Sequence, residues 1–167
     1  KYEHGTTWSE HCLKDWSELE KLNNHPIQEG NPWIDKLLGA ARYYAEKSIN
    51  KCAVGVAMLT GPGDVMAALR GPSELCMDLY ESENEFRTLA SIVTSAYIRT
   101  ANIQFSVVPS FMGGYVDNYN IWTPGKSSYF ANDFSNLISK EQYMQFFYEY
   151  DCQAALAYEV PWIHVHS

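Results

Sequence analysis

The sequence predicts an α/β fold built on a parallel sheet, and two patterns support that prediction. Residues 52–59 form an uninterrupted apolar run that stops at the Gly-Pro-Gly of residues 61–63, which is typical of a strand buried on both faces. On both sides of this run, apolar residues recur every three or four positions, as amphipathic helices require. Strands that alternate with helices pair in parallel through right-handed crossovers.

Two helices are predicted ahead of this strand. In residues 8–22, tryptophan, cysteine and leucine side chains stand at helical spacing among charges, and Pro26 follows the end of that segment. The second helix begins at Asn31, which suits the N-cap position, and continues with Pro32 at the first helical position toward Ile49.

Three further helices are predicted after the strand, over residues 65–69, 72–80 and 83–104. Arg70 ends the first of them, where a cation is favoured by the helix dipole. The alternative is that Arg70 recognises an anion, and we therefore include it among the candidate substrate-binding residues.

The last third of the chain contains two more predicted strands. Residues 110–126 form a long loop that is rich in aromatic side chains, and a short strand follows over residues 127–132. A capping-box pattern at Ser139 opens a helix that runs to Tyr158, and residues 160–165 form a final strand.

The central apolar run leads to a specific expectation about burial. The unbroken apolar run indicates a strand covered on both faces, so we expect Val54, Val56 and Met58 to be buried. We also expect this strand to pair in parallel with the strand that ends near Asp133, or with a neighbour outside this sequence.

Composition excludes several classes of partner. The chain has 167 residues, with 12 Lys and Arg against 20 Asp and Glu, and its formal charge is −8. Such a surface repels phosphate backbones, so we expect no nucleic-acid binding.

No apolar run approaches the ~20 residues that span a bilayer, and no leader pattern opens the chain. The four cysteines form no CxxC pair, which indicates free thiols in a reducing compartment, and we expect a cytoplasmic protein.

A series of short motifs resembles one known family. The motifs, in chain order, are residues 59–64 (LTGPGD), 67–72 (AALRGP), 75–80 (LCMDLY), 113–114 (GG), 122–126 (WTPGK), Asp133, 137–143 (LISKEQY) and 164–167 (HVHS). This series resembles the uroporphyrinogen decarboxylase-like superfamily, which joins porphyrinogen decarboxylases to zinc- and corrinoid-dependent methyltransferases on a (β/α)8 barrel. A full barrel takes ~250 residues. The resemblance therefore implies that residues 1–167 are a single central fragment of such a TIM barrel domain, without its N-terminal and C-terminal portions.

Active sites of such barrels lie at the carboxyl ends of the strands, and several candidate residues fall there. Gly61 and Pro62 follow the first strand and are candidate substrate-binding residues. His164 and His166 stand two apart on the last strand, so both imidazoles face the same side and could hold one metal ion. The alternative is that one histidine makes a buried hydrogen bond while the other faces the barrel interior. The resemblance implies zinc here, with His166 at the place of a cysteine ligand.

Two further candidates have equally plain structural alternatives. Asp133 ends the middle strand, where its carboxylate could bind substrate or act as a catalytic acid or base; the alternative is that it caps the turn before Ser135. Trp122, in the long loop, could cover a flat apolar ligand, or it could pack the loop onto the rest of the fold.

Three functions follow as hypotheses. The first, implied by the resemblance, is methyl transfer between a small substrate and a corrinoid, free or carried by a corrinoid protein, at a zinc site. The second is decarboxylation of a porphyrinogen, a tetrapyrrole substrate, without any cofactor. The third is that an incomplete barrel has no activity of its own.

Overall fold

The computed structural model describes residues 2–3, 6–7, 10–24 and 27–165. Six α-helices and seven short strands are found there. In chain order they are β1 (Tyr2–Glu3), β2 (Thr6–Thr7), α1 (Pro32–Lys47), β3 (Leu59–Thr60), α2 (Pro62–Arg70), α3 (Pro72–Glu81), α4 (Glu83–Phe105), β4 (Tyr115–Val116), β5 (Trp122–Thr123), β6 (Ser127–Ala131), α5 (Lys140–Phe146), α6 (Tyr148–Leu156) and β7 (Val160–His164). Two 3₁₀ helices, Trp16–Asn24 and Phe134–Leu137, complete the set of helical segments.

A three-stranded parallel sheet stands at the centre of the fold, in the order β3-β6-β7. Leu59 pairs with Phe130, and Phe130 pairs in turn with Ile163, so one row of residues crosses all three strands. The α/β class and the parallel pairing of the first strand with the strand before Asp133 are thus confirmed. In the part of the chain that the structure describes, three parallel strands do not close a barrel, and the (β/α)8 barrel stays a prediction.

The predicted strand over residues 52–59 is much shorter than expected. Only Leu59 and Thr60 join the sheet, and Gly55 forms an isolated bridge with Val116. The prediction of burial is wrong for Met58, which is 55% exposed, while Val54 and Val56 are half-buried. An apolar run indicates that a segment tends to be buried, but it does not determine which neighbour covers that segment. Here the neighbouring strand β6 is present only at the end of the run.

Three other segments differ from their predicted form. The long loop over residues 110–126 contains an antiparallel hairpin, in which Tyr115 pairs with Thr123 and Val116 with Trp122. The helix expected to start at Ser139 is capped as predicted, but it breaks at Phe147 into α5 and α6. The first predicted helix is a 3₁₀ helix that begins only at Trp16, and Trp8 lies outside the described residues.

The helices bury two apolar cores. One lies among α2, α3, α4 and α5, where the ring of Phe86 makes edge-to-face contacts with Phe146 and Phe147. The other lies between the sheet and the helices α4 and α6, where Phe130 packs edge-to-face against Tyr97. The helices therefore cover one face of the sheet, the face toward which Phe130 points.

None of the helices in the described residues is both long enough and apolar enough to cross a membrane.

Candidate functional site

The carboxyl ends of the three parallel strands lie level with one another. Thr60 pairs with Ala131, and Ala131 pairs with His164. The ladder continues past the strand ends, because Gly61 N–H donates to the Ala131 carbonyl (3.1 Å) and Asn132 N–H donates to the His164 carbonyl (2.9 Å). The fold thus brings the ends of three segments that are distant in sequence to one edge, which we call the carboxyl edge.

Gly61 and Pro62 form a tightly packed corner of this edge rather than a surface open to a ligand. Both residues are buried. A Cβ atom at Gly61 would lie 2.4 Å from the Ala131 carbonyl oxygen and 2.5 Å from the Phe130 ring. The glycine is therefore explained by the close approach of two strands, and Pro62 by its place at the first position of α2.

Asp133 is exposed at the carboxyl edge, on a loop that another carboxylate holds in place. The two oxygens of Asp64 accept the backbone N–H groups of Asp133 (3.1 Å) and Phe134 (2.7 Å). The capping role that sequence suggested as an alternative for Asp133 belongs to its neighbour, since Asn132 Oδ1 accepts the N–H of Ser135 (3.3 Å) while Asp133 makes no side-chain cap.

A buried carboxylate lies directly behind this loop. Asp151, on α6, is 1% exposed, and its Oδ2 accepts hydrogen bonds from Asn132 Nδ2 and from the Tyr143 hydroxyl (2.8 Å). Burial raises the pKa of the Asp151 carboxyl to about 6, and the nearby charge of Asp64 acts in the same direction. Because Asn132 also bonds the His164 carbonyl, the Asp151 carboxylate is connected to the ends of both β6 and β7.

An aromatic surface covers the face of the sheet opposite the helices. Tyr129 points away from Phe130, as neighbours along a strand do, and its ring lies 4.4 Å from that of Trp162, centroid to centroid. Tyr119, from the turn of the hairpin, lies 4.9 Å from Tyr129 and stacks on His164 at 6.4 Å with 22° between the ring planes. We call these four rings the ring surface.

The polar groups of the ring surface are paired with each other or with the strands. The Tyr129 hydroxyl donates to the Tyr119 hydroxyl (2.7 Å), and Trp162 Nε1 donates to Ser127 Oγ (2.9 Å). Burial, the bond to Tyr119 and the charges of Asp133 and Asp117 all raise the pKa of Tyr129. Tyr129 is consequently a neutral hydrogen-bonding group at any physiological pH.

Trp122 lies outside the ring surface, in β5 of the hairpin. Its Nε1 donates to the Phe111 carbonyl (2.9 Å), and its ring would lie 2.8 Å from a Cβ atom placed at Gly114. The indole therefore packs the hairpin together, although it is 47% exposed.

Arg70 is engaged inside the protein. Its guanidinium forms a two-pronged ion pair with Asp78 (2.8 and 3.1 Å) and donates to the carbonyls of Leu13 (3.2 Å) and Lys14 (2.6 Å), while it lies over the ring of Trp16. The Arg70 and Asp78 side chains are 13% and 6% exposed. Arg70 thus fixes the segment before the 3₁₀ helix, at the end of α2 opposite to the carboxyl edge.

The metal ligands proposed from sequence are only partly within the described structure. His164 is half-buried at the carboxyl edge, and His166 lies outside the described residues. Within residues 10–24 and 27–165, no three His, Cys, Asp or Glu side chains form a group that could hold a metal ion. The four cysteines, Cys12, Cys52, Cys76 and Cys152, are free thiols.

Several residues of this region were not identified from sequence. Asp151 lies in a helix rich in aromatic residues and was not singled out there. Its spacing from Phe147 and Ala155 nevertheless places it on the apolar face, and a charged residue on that face is a signal that sequence could have supplied. Tyr119 carried no such signal, because only the fold of the hairpin brings its ring to His164.

Comparison of the chain with models of protein families, with curated proteins and with solved structures finds no match.

Proposed function

We propose that this chain forms one wall of the active site of an enzyme of the uroporphyrinogen decarboxylase-like superfamily, and that the enzyme transfers a methyl group between a small substrate and a corrinoid. The proposal rests on the carboxyl edge, where Thr60, Ala131 and His164 stand level in a parallel sheet. In α/β barrels that edge is where the reacting groups assemble. The barrel and the reaction both belong to the proposal.

The charge of this region favours methyl transfer over porphyrinogen decarboxylation. Three carboxylates stand at or behind the carboxyl edge, those of Asp64, Asp133 and Asp151. The charge of a fourth, Asp117, raises the pKa of Tyr129 on the ring surface. A porphyrinogen carries several carboxylates, which such a region repels. The one cation that sequence offered for anion recognition, Arg70, is bound to Asp78. Carboxylates suit a cationic group or metal better than a polyanionic substrate.

The ring surface is the second support for a corrinoid. Tyr119 is 49% exposed and stacks on His164 with 22° between the ring planes, and a macrocycle can lie against an exposed aromatic face of this kind. In the transfer, the carbon–cobalt bond breaks with both electrons left on cobalt, and the electron pair of a deprotonated nucleophile forms the new bond to the methyl carbon. Zinc, which the resemblance implies, would lower the pKa of that nucleophile.

In this proposal the residues of the chain bind the corrinoid and position the reacting groups. His164 and Tyr119 contact the macrocycle, and Asp133 accepts a hydrogen bond or the proton that the nucleophile loses. Asp64 and Asn132 keep the Asp133 loop at the strand end. The chemistry also needs groups from outside the described residues, since β3 and β7 each have one edge without a partner strand in the described sheet.

The proposal is tested with the protein that carries this chain, incubated with methylcobalamin, a thiol and Zn²⁺ while the corrinoid absorbance is followed. We expect demethylation that falls at least about tenfold in His164→Ala and in Asp133→Asn, the loss expected for a positioned proton-transfer or binding group. His11→Ala is the matched control, because His11 is exposed and contacts the Ala68 carbonyl on a different part of the surface. If the protein instead releases carbon dioxide from uroporphyrinogen and does not demethylate the corrinoid, the proposed reaction is decarboxylation and not methyl transfer. Absence of both reactions contradicts the proposal.

A further inference from the structure

An apolar cavity of about 490 Å³ lies between α2, α4 and the first 3₁₀ helix. Its walls include Leu22 of the 3₁₀ helix and Val65 and Leu69 of α2. These three side chains also pack against the core around Phe86, so the wall is an outward-facing part of that core. Cavities of about 300–1,000 Å³ with largely apolar walls are typical of small-molecule sites.

The polar side chains of this cavity stand in one row along α4. Ser91, Ser95 and Arg99 are four positions apart, so they lie above one another on the same side of the helix. Tyr97, between the last two, packs on Phe130 of the sheet, which places the row on the side of α4 that faces away from the sheet. Ser95 and Arg99 also line a second, more open cavity of about 590 Å³, so the two cavities meet at these residues.

Arg99 is the one charged side chain among the described residues that line the two cavities. It is exposed, and it takes part in none of the ion pairs found within residues 10–24 and 27–165. The other three arginines of the chain, Arg42, Arg70 and Arg87, each pair with a carboxylate. In a chain of formal charge −8, an arginine that pairs with no carboxylate of the described chain can bind an anion from outside.

A carboxylate with an apolar chain is the anion that this arrangement suits. The planar guanidinium of Arg99 can donate two parallel N–H bonds to a carboxylate, and the hydroxyl of Ser95, one turn away, can donate a third. An anion with further polar groups would place them against the side chains of Leu22, Val65 and Leu69, which offer no hydrogen bonds. Methylene groups gain free energy from burial against the same side chains.

We propose that the cavity binds an aliphatic monocarboxylate of the fatty-acid class, with the carboxylate on Arg99 and the chain between α2 and α4. The cavity supplies the apolar space, and the row along α4 supplies the polar end. The site is independent of the proposed methyl transfer, because none of the residues that line it belongs to the carboxyl edge or to the ring surface.

Isothermal titration calorimetry of the full chain with decanoate and with decanol provides the test, because the two ligands share the apolar chain and differ in charge. We expect one saturable decanoate site per chain, with an affinity at least about tenfold higher than that for decanol. Arg99→Met keeps the apolar stem of the side chain and removes its charge. In this variant decanoate affinity should fall to that of decanol, while decanol affinity should change by less than about twofold.

Arg42→Met is the matched control, since Arg42 is an arginine on α1 that pairs with Glu29 and does not line the cavity. The preference for decanoate should be unchanged in this variant. Ser91→Phe places a ring at the end of the polar row opposite to Arg99, on an exposed position of α4. The ring takes space from the aliphatic chain, so both ligands should bind at least about tenfold more weakly.

Four results would each overturn the proposal. They are absence of saturable decanoate binding to the wild type, equal affinity of the wild type for decanoate and decanol, an undiminished preference for decanoate in Arg99→Met, and unchanged binding of both ligands to Ser91→Phe.

Discussion

The side chain of Gln104 forms hydrogen bonds with both backbone polar groups of Ala57. Gln104 Oε1 accepts the Ala57 N–H (2.7 Å), and Gln104 Nε2 donates to the Ala57 carbonyl (3.2 Å). The carboxamide therefore takes the place that a neighbouring strand would have beside Ala57. Gln104 itself is 1% exposed, on the inner side of α4.

Replacement of this carboxamide should destabilise the protein. In Gln104→Met, which keeps the length of the side chain, two hydrogen bonds are lost, and we expect the free energy of unfolding to fall by about 2 kcal/mol in urea denaturation. Gln145→Met is the control, since Gln145 is exposed on α5 and its replacement should change stability by less than about 0.5 kcal/mol. Equal stability of the two variants would show that water can replace the hydrogen bonds between Gln104 and the backbone of Ala57 without loss of stability.

The Arg70–Asp78 ion pair should be costly to break on one side only. Arg70→Met leaves the buried Asp78 carboxylate without its cation, and we expect a loss of about 3–5 kcal/mol in unfolding free energy. The double variant Arg70→Met/Asp78→Leu should recover part of that loss, because no uncompensated charge remains. Lys21→Met is the control, since its pair with Glu18 lies at the surface, where solvent screening leaves an ion pair with little effect on stability. A double variant less stable than Arg70→Met would contradict this account.

Asp151 should make stability depend on pH. Its folded-state pKa of about 6 lies above the ordinary value of 3.8, so the folded protein holds this proton more tightly than the unfolded chain does. The stabilising contribution of the protonated carboxyl is complete below pH 3.8 and is lost as pH rises to about 6. The full loss amounts to about 3 kcal/mol.

The measurement compares urea denaturation of wild type and Asp151→Asn at several pH values in that window. The variant keeps an oxygen for Asn132 and Tyr143 but cannot ionise, so its advantage over wild type should grow as pH rises. Asp15→Asn serves as the control of opposite sign, because hydrogen bonds from Ser17 lower the pKa of Asp15. A constant difference between Asp151→Asn and wild type across the window would refute the assignment.

Two glycines at the start of α2 should respond differently to alanine. Gly61→Ala places a methyl group against the Ala131 carbonyl, and the overpacking should lower stability by about 1–3 kcal/mol or more. At Gly63 the nearest atom, in the Phe147 ring, lies 3.4 Å from the added carbon, which is ordinary contact. Gly63→Ala should therefore be neutral, or stabilising by up to about 1 kcal/mol through helix propensity. Thermal melts of the two variants provide the measurement. Equal losses of stability would mean that the packing around Gly61 adapts to the added methyl group.

Sequence predicted most reliably the elements whose own side chains determine them. The helix expected over residues 83–104 is observed as Glu83–Phe105, because its apolar period is unbroken. The run over residues 52–59 was predicted wrongly as a full strand, because its partner at Ala57 is a glutamine side chain from α4. The hairpin was not predicted at all, since strands of two residues show no periodicity.

For the candidate site, sequence placed the ends of the strands correctly but not the groups that support them. Gly61, Asp133 and His164 do meet at the carboxyl edge, as the expected parallel pairing requires. The support from Asp64 and Asp151 depends on contacts across the fold, which local patterns do not encode. Whether Asp133 and His164 act in catalysis stays a prediction.

The hydrogen bonds from Asp133 and Phe134 to Asp64 join residues that are 69 and 70 positions apart in the chain. Contacts of such separation require the closure of a long loop, whose entropy opposes them until the intervening helices have packed. The loop that carries Asp133 is thus expected to become ordered late in folding, after β3 and β6 have paired. A partly folded intermediate with intact helices would accordingly have an unformed carboxyl edge.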